Sequence, residues 1–364
     1  MTKIIFQNNH LLGAFMIPTK KLKLTTAILT TFVCNDVLAL NLSNHGVNNS
    51  SPLVPESSYH NDSPEYKSKV ADVVVVDQVS KQINRQISNI ITNRITYNIN
   101  PAFSALTNVG GGAGDERNAF MPDSLWSTFS WSKLNNDGNA IGKFDTNIYQ
   151  TTSGVDKKIG DFYIGTSLVY AAAVTDFLAN NHDTKHTVNI TPYAAYVINK
   201  NFFLSALSGY LFTNSDSTFA PQSNTHANVS EIDFNALHVI DNWFMKGKVG
   251  GRYNHGYTRT DAVAGGKATT DNSDSWTYLT DVSGGYAFEN GIKVFTGVLY
   301  ELSNRGGANL PAGFGTDDNS VFYYNAGIDY SVSKALSLGA NVQTDLSNSA
   351  VDLTTVGLNM RLAL

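Results

Sequence analysis

The chain has 364 residues, of which 42% are hydrophobic and only 15% charged, against roughly 25% charged in ordinary soluble domains. Its mean hydropathy of -0.15, with no run of about 18 apolar residues past the N-terminus, excludes a bundle of membrane helices. The net charge of -5 gives no support for nucleic-acid binding, and the single cysteine, Cys34, excludes disulfides and a His/Cys zinc cluster.

In chain order, Lys20, Lys21 and Lys23 precede a short apolar stretch from Leu24 to Val33, followed by Val37-Leu38-Ala39. This is the layout of a secretory signal peptide, residues 1–39, ending before Leu40. Met1 and Met16 are both acceptable starts. Val33 is not the small residue a lipoprotein site uses before its cysteine. Residues 40–64 are rich in Asn, Ser and Pro without periodicity, and are expected to be a short disordered passenger.

Residues 65–100 read as one helix. Ile83, Ile87, Ile90, Ile91, Ile95 and Ile99 fall on one face of a 3.6-residue repeat, and Lys81, Gln82, Arg85, Gln86, Asn89, Asn93 and Arg94 lie between them. Asp62 and Ser63 are candidate N-caps, while the β-branched run Val73 to Val76 weakens the first two turns. About 30 such residues reach roughly 45 Å, longer than a hydrocarbon layer is thick. Residues 101–124 follow as a linker centred on Gly110 to Gly114; it lacks the Lys-Ser/Thr ending of a phosphate loop.

From Leu125 to Leu364 the period becomes two. Leu364, Leu362, Met360, Leu358 and Val356 point one way, and Ala363, Arg361, Asn359, Gly357 and Thr355 the other. The same alternation places strands near 125–135, 142–154, 160–176, 184–198, 201–214, 225–240, 242–258, 272–288, 291–303, 319–332, 335–346 and 350–363. Tight turns at Asn199-Lys200, Asp241, Glu289 to Gly291 and Ser333-Lys334 alternate with long polar segments at 214–226, 258–272 and 303–319. Ser347 to Ser349 is a brief hairpin where a long loop is due. An even number of strands with short turns on one side and loops on the other predicts an all-β, 12-stranded antiparallel transmembrane barrel in outer-membrane lipid.

A two-sheet sandwich shows the same alternation, but it would carry charge on its outer face. Here Lys293, Glu301, Asp329, Asp345 and Arg361 share the face opposite the apolar rows and are expected to line the lumen. Trp126, Phe129, Trp131, Trp243, Trp276, Tyr278, Phe322, Tyr323 and Tyr324, near strand ends, are expected to form an interfacial girdle.

Phe144 to Tyr149, with Gly154-Val155-Asp156 and Gly160-Asp161-Phe162-Tyr163-Ile164-Gly165, resembles the second hairpin of autotransporter β-domains, where a Gly-Val-Asp turn precedes a strand opening with Gly-Asp. Pro192 to Tyr196 followed by Phe202 to Leu204 is similar to the fourth and fifth strands of that family. The resemblance implies a non-enzymatic translocator of type V secretion, with the helix threading the lumen through Ile83, Arg85, Ile87, Ile91 and Arg94. It also implies that Gly357, Met360, Leu362 and Leu364 form the signal read by the barrel-assembly machinery, although an aromatic is commoner at the last position. The expected passenger departs from the family's usual long repeat array: it is short, residues 40–64, and carries no repeat. The alternatives are a structural or adhesive protein whose loops bind host or matrix, and a small porin-like channel; a rim-active hydrolase comes last.

Other chemistry is sparse. His182 and His186 are four apart in a segment read as a loop entering a strand, whereas that spacing converges on a metal only in a helix. Asp271 to Ser275 and Thr316 to Ser320 read as acidic loops rather than Ca²⁺ sites. Asn89, Asn93 and Asn98 include no adjacent pair of the kind some autotransporters cleave. No catalytic residue, metal or cofactor is expected, and the chain is expected to be a monomer.

Overall fold

The structure, a computed structural model, describes residues 64–99, 122–136, 143–177, 181–217, 222–260, 269–306, 320–333, 335–347 and 351–364. The signal peptide, residues 40–63 with Asp62 and Ser63, and most of the Gly-rich linker lie outside the described residues.

Helix α1 (Pro64–Ile99) is followed by β1 (Ser124–Asn136), β2 (Phe144–Ile159), β3 (Phe162–Phe177), β4 (Asn181–Asn199), β5 (Phe202–Ser217) and β6 (Ser223–Ile240). Then come β7 (Trp243–Thr260), β8 (Thr269–Ala287), β9 (Ile292–Gly306), β10 (Ser320–Ser331), β11 (Leu336–Asp345) and β12 (Val351–Ala363). Each strand pairs antiparallel with its neighbours in sequence, and β1 pairs with β12 from Ser124↔Ala363 to Asn136↔Val351, closing the barrel of twelve strands. Closure leaves no edge of unpaired N–H and C=O groups, which hydrocarbon could not satisfy.

The turns joining β2 to β3, β4 to β5, β6 to β7, β8 to β9 and β10 to β11 all fall at one end. Gly160 and Gly291 supply positive φ there (60° and 84°), and Asp241 does so at 50°. At the opposite end several strands run further than the sequence suggests: β5 reaches Ser217, β7 reaches Thr260 and β9 reaches Gly306. Asp271 to Ser275 belongs to β8 and is not a loop. The polar ends of these strands satisfy their backbones by pairing, as at Thr258↔Asp271, so polarity there marks emergence from lipid and not the end of the ladder.

The strands are buried on one face and exposed on the other. Leu168, Ile190, Val249, Val282 and Leu358 are each more than half exposed, while Lys185, Glu231, Arg252, Lys293 and Glu301 are at most 3% exposed. Water outside would make that arrangement untenable, since apolar area would be wet and ionised groups buried. In lipid it is the stable one, and the sandwich alternative falls with it.

The inner wall is not uniformly polar, as the two-residue rhythm suggests it should be. Ile148 of β2, Val169, Ala171 and Ala173 of β3, Phe203, Leu207 and Leu211 of β5 and Ala227 of β6 all face inward and are buried. They form one cluster with Val75, Val79, Ile83, Ile87, Ile91, Ile95 and Ile99 of α1. The isoleucine stripe therefore lies against the β2–β6 side of the barrel, and each such side chain removed from water stabilises the assembly by about 1.5–3 kcal/mol. Val73 to Val76 is helical as well; burial of Val75 and Val79 outweighs the small helix penalty of β-branching.

Candidate functional site

Among the described residues, buried charge is concentrated in the lumen and on the helix within it, and contacts can be followed along α1 from its C-terminal end. Arg94 Nη2 donates to Asp156 Oδ1 at 2.7 Å, and Nε lies 2.5 Å from Oδ2. Ser124 Oγ accepts from Arg94 and donates to Asp156 Oδ1 at 2.9 Å. Tyr193 OH donates to Asp156 Oδ2 at 2.8 Å, and Trp126 Nε1 donates to Tyr193 OH at 3.3 Å. Asp156 thus collects the first residue of β1, the helix and Tyr193 near the turn end, with Trp126 joined through the Tyr193 hydroxyl.

Further along, Lys246 Nζ donates to Asn93 Oδ1 at 2.6 Å and Thr92 Oγ1 donates to Asn235 Oδ1 at 3.1 Å. Ser88 Oγ donates to Asp233 Oδ2 at 3.1 Å and accepts from Lys248 Nζ at 2.8 Å. Gln86 Nε2 donates to Ser130 Oγ at 2.8 Å and Gln86 Oε1 accepts from Gln150 at 2.6 Å. Gln82 Nε2 donates to Ser132 Oγ and Thr355 Oγ1. The partners climb β1 from Ser124 to Ser132 as the helix number falls from 94 to 82. Twelve helical residues rise about 18 Å; eight strand residues span about 27 Å, or about 20 Å along the axis of a barrel whose strands tilt about 40°. The two agree, so α1 runs along the barrel axis with Ile99 toward the turn end and Pro64 toward the loop end.

Beyond these contacts lies a fully buried charge cluster. Arg252 Nε donates to Glu231 Oε2 at 2.7 Å and Nη1 to Glu301 Oε1 at 3.2 Å. Arg85 of the helix approaches Glu301 at 3.8 Å and stacks 4.1 Å over the ring of Tyr323. Lys248 lies 3.9 Å from Glu231. On β4, Lys185 and Asp183 form a separate buried ion pair, and Ser215 donates to Asp183 at 3.1 Å.

The residues named from the sequence are placed as follows. Lys293 Nζ donates to Asp329 Oδ2 at 3.2 Å on the inner wall. Glu301 joins the Arg85–Arg252 cluster. Asp345 is half-buried and accepts from the backbone N–H of Ser347 at 2.7 Å, and Arg361 lines a cavity beside the helix. Gly357 faces inward against Asn341; Met360 and Leu364 face outward. His182 and His186 lie on β4, not in a loop, and pair separately with Asp176 at 2.5 Å and Tyr170 at 2.9 Å.

Two further expectations need correction. Trp126 and Tyr323 are 2% exposed and point into the lumen, not into an interfacial girdle; Phe129, Trp243, Trp276, Tyr278, Phe322 and Tyr324 do face outward. Proximity to a strand end cannot tell the two faces apart, whereas phase can: Trp126 shares the parity of Ser124 and Thr128. Gly154-Val155-Asp156 is not a turn, because β2 continues to Ile159 and the turn is Gly160-Asp161. Those glycines serve packing instead. A Cβ on Gly154 would lie 2.3 Å from the Trp126 ring, and one on Gly165 2.3 Å from the ring of Tyr193. The same aromatic-over-glycine arrangement recurs with Phe244 on Gly285 and Phe295 on Gly327.

Apolar side chains outside, ionised side chains within and a closed ladder define a transmembrane β-barrel of the outer-membrane type, its lumen filled by the chain's own N-terminal helix. No protein-family model and no curated sequence matches the chain. Among solved structures, the translocator domain of the autotransporter NalP from Neisseria meningitidis is similar over 78% of this chain and 98% of its own, at TM-score 0.55 and 9% identity. The β-domain of the Bordetella autotransporter BrkA is similar over 67% of this chain and 100% of its own, at TM-score 0.53 and 13% identity. The chain has the fold of these translocator domains.

Proposed function

We propose that the protein is an autotransporter-type translocator barrel of the bacterial outer membrane, non-enzymatic, that passes or anchors a short N-terminal segment. The observation that carries this reading is the polarity of α1. Its C-terminal end is fixed at the turn side, where Arg94 meets Asp156 and Ser124, and its N-terminal end points to the loop side. A chain that enters β1 from the turn face and carries a helix along the lumen delivers what precedes Pro64 to the loop face. Short turns face the periplasm and loops the exterior in barrels of this type.

Assembly by the barrel-assembly machinery fits the closing strand, whose outward face presents Val356, Leu358, Met360 and Leu364. The closing experiment has two arms. An epitope at residue 45 should be labelled on intact cells, with heat-modifiable migration confirming a folded barrel. Deleting residues 40–100 should raise single-channel conductance in planar bilayers. An epitope reached only after permeabilisation would refute the direction of export, and unchanged conductance would refute the plug.

A further inference from the structure

We infer that the plugged barrel is sealed, on the β8–β12 and β1 side that the isoleucine stripe leaves uncovered, by one oblique and mainly apolar row of inward side chains, and that the cavity on the turn side of this row is a water-filled vestibule. This rests on the reading that α1 stays in the lumen.

Because α1 lies against β2–β6, space remains between its polar face and β7–β12. A cavity of about 170 Å³ lies there, lined among others by Lys246, Asp281, Asn325, Asn341, Gln343 and Asn359. The lining is rich in amides and charge, so it is wetted, not dry. Gln343, one of the lining residues, has its Nε2 buried with no hydrogen-bond partner in the protein.

On its loop side the cavity ends abruptly. The bordering inward residues are Thr355 of β12, Gln343 of β11, Asn325 of β10 and Asp281 of β8. The next inward position toward the loops is Leu353, Asp345, Tyr323 and Leu279 on the same strands. Register sets most of these side by side: Leu134 pairs with Leu353, and Tyr323 with Leu299 and with Asp345, the one polar member; at β8 the row steps one inward position toward the loops, since Leu299 pairs with Asp281 and Leu279 with Glu301. Leu134, Leu279, Leu299, Tyr323 and Leu353 are all at most 4% exposed and belong to the same buried cluster as Val79 and Ile83 of the helix. Arg85 closes the row by lying over Tyr323. Toward the turns the wall opens, and Asp329 is 21% exposed. On the other side of the helix the isoleucine stripe against β2–β6 completes the barrier. An apolar constriction blocks ions by excluding water from a short stretch of the path.

The test uses the full chain with Cys34→Ser and a reporter, Asn341→Cys, in the vestibule, probed with a membrane-impermeant maleimide. Labelling is expected only when the reagent reaches the turn face, in permeabilised cells, and not on intact cells. Adding Leu299→Ser with Leu353→Ser should make the reporter comparably reactive from both faces and raise bilayer conductance severalfold, below that of the 40–100 deletion. Leu299→Val with Leu353→Met keeps the row apolar and should retain protection, with heat-modifiable migration checked for each variant. Labelling of the parent from the loop face, or from neither face, overturns the proposal. If the serine pair leaves conductance unchanged while the helix deletion raises it, the row is not the seal although the helix is a plug. If neither raises it, the translocator reading fails too.

Discussion

Replacing Arg252 with Leu tests whether buried charge in the lumen holds the barrel together. The guanidinium donates to Glu231 at 2.7 Å and to Glu301 at 3.2 Å, and the three side chains are 3%, 0% and 3% exposed. Two charge-assisted hydrogen bonds at about 1.5–3 kcal/mol each set the gross loss. The remaining cations compensate weakly, since Lys248 is 3.9 Å from Glu231 and Arg85 is 3.8 Å from Glu301, both beyond hydrogen-bond range. Two carboxylates left in a dry site should therefore cost about 3–5 kcal/mol, the range for breaking a buried pair from one side. Reversible urea titration in detergent micelles, followed by tryptophan fluorescence, reads this as a lowered midpoint at unchanged slope. Arg252→Leu combined with Glu231→Gln, which keeps Glu301 as the partner of Arg85, should recover much of the loss, because the penalty belongs to the stranded charges. A loss under about 1 kcal/mol in the single variant would refute the reasoning, as would a double variant no better than the single.

Other perturbations separate the faces of the wall and the contacts to the helix. Leu358→Arg, mid-strand on the lipid face, should destabilise the barrel by about 2–4 kcal/mol, whereas Asn359→Arg, the next residue and facing the cavity, should fall within about 1 kcal/mol; refolding yields into vesicles compare them. Gly165→Val places carbon where the Tyr193 ring and the Val155 carbonyl oxygen lie 2.3 Å and 2.6 Å away, so about 1–3 kcal/mol should be lost by overpacking, and Gly165→Val with Tyr193→Ala should regain part of it in the same titration. Asp156→Ala removes the acceptor shared by Arg94, Ser124 and Tyr193; protease cleavage near residue 94 should become faster while the barrel still migrates as folded. Equal cleavage rates would mean the helix is held mainly by its isoleucine stripe.

Much of the barrel is legible in the chain itself. A period of two, twelve times repeated with alternating turns, fixes strand number, phase and the outward rows, because successive side chains in a strand must face opposite ways. The four-residue spacing of Ile83, Ile87, Ile91 and Ile95 likewise fixes the helix and its apolar stripe. Lys293, Glu301 and Arg361 are readable as inward for the same local reason.

Partners are a different matter, because they depend on which strands the closed ladder sets side by side. Asp156 lies 62 residues from Arg94, and Arg252 lies 49 from Glu301; no local pattern links them, and Asp156 reads from the sequence as part of a turn. The sequence equally presents Ile148, Phe203, Leu207 and Leu211 as apolar residues on an inner face that ought to be wet. Only the helix laid against β2–β6 explains them, and only that off-centre position leaves the cavity and its apolar border opposite. Periodicity determines which way a side chain points; what it meets there is decided by barrel closure and by the side of the lumen the helix takes.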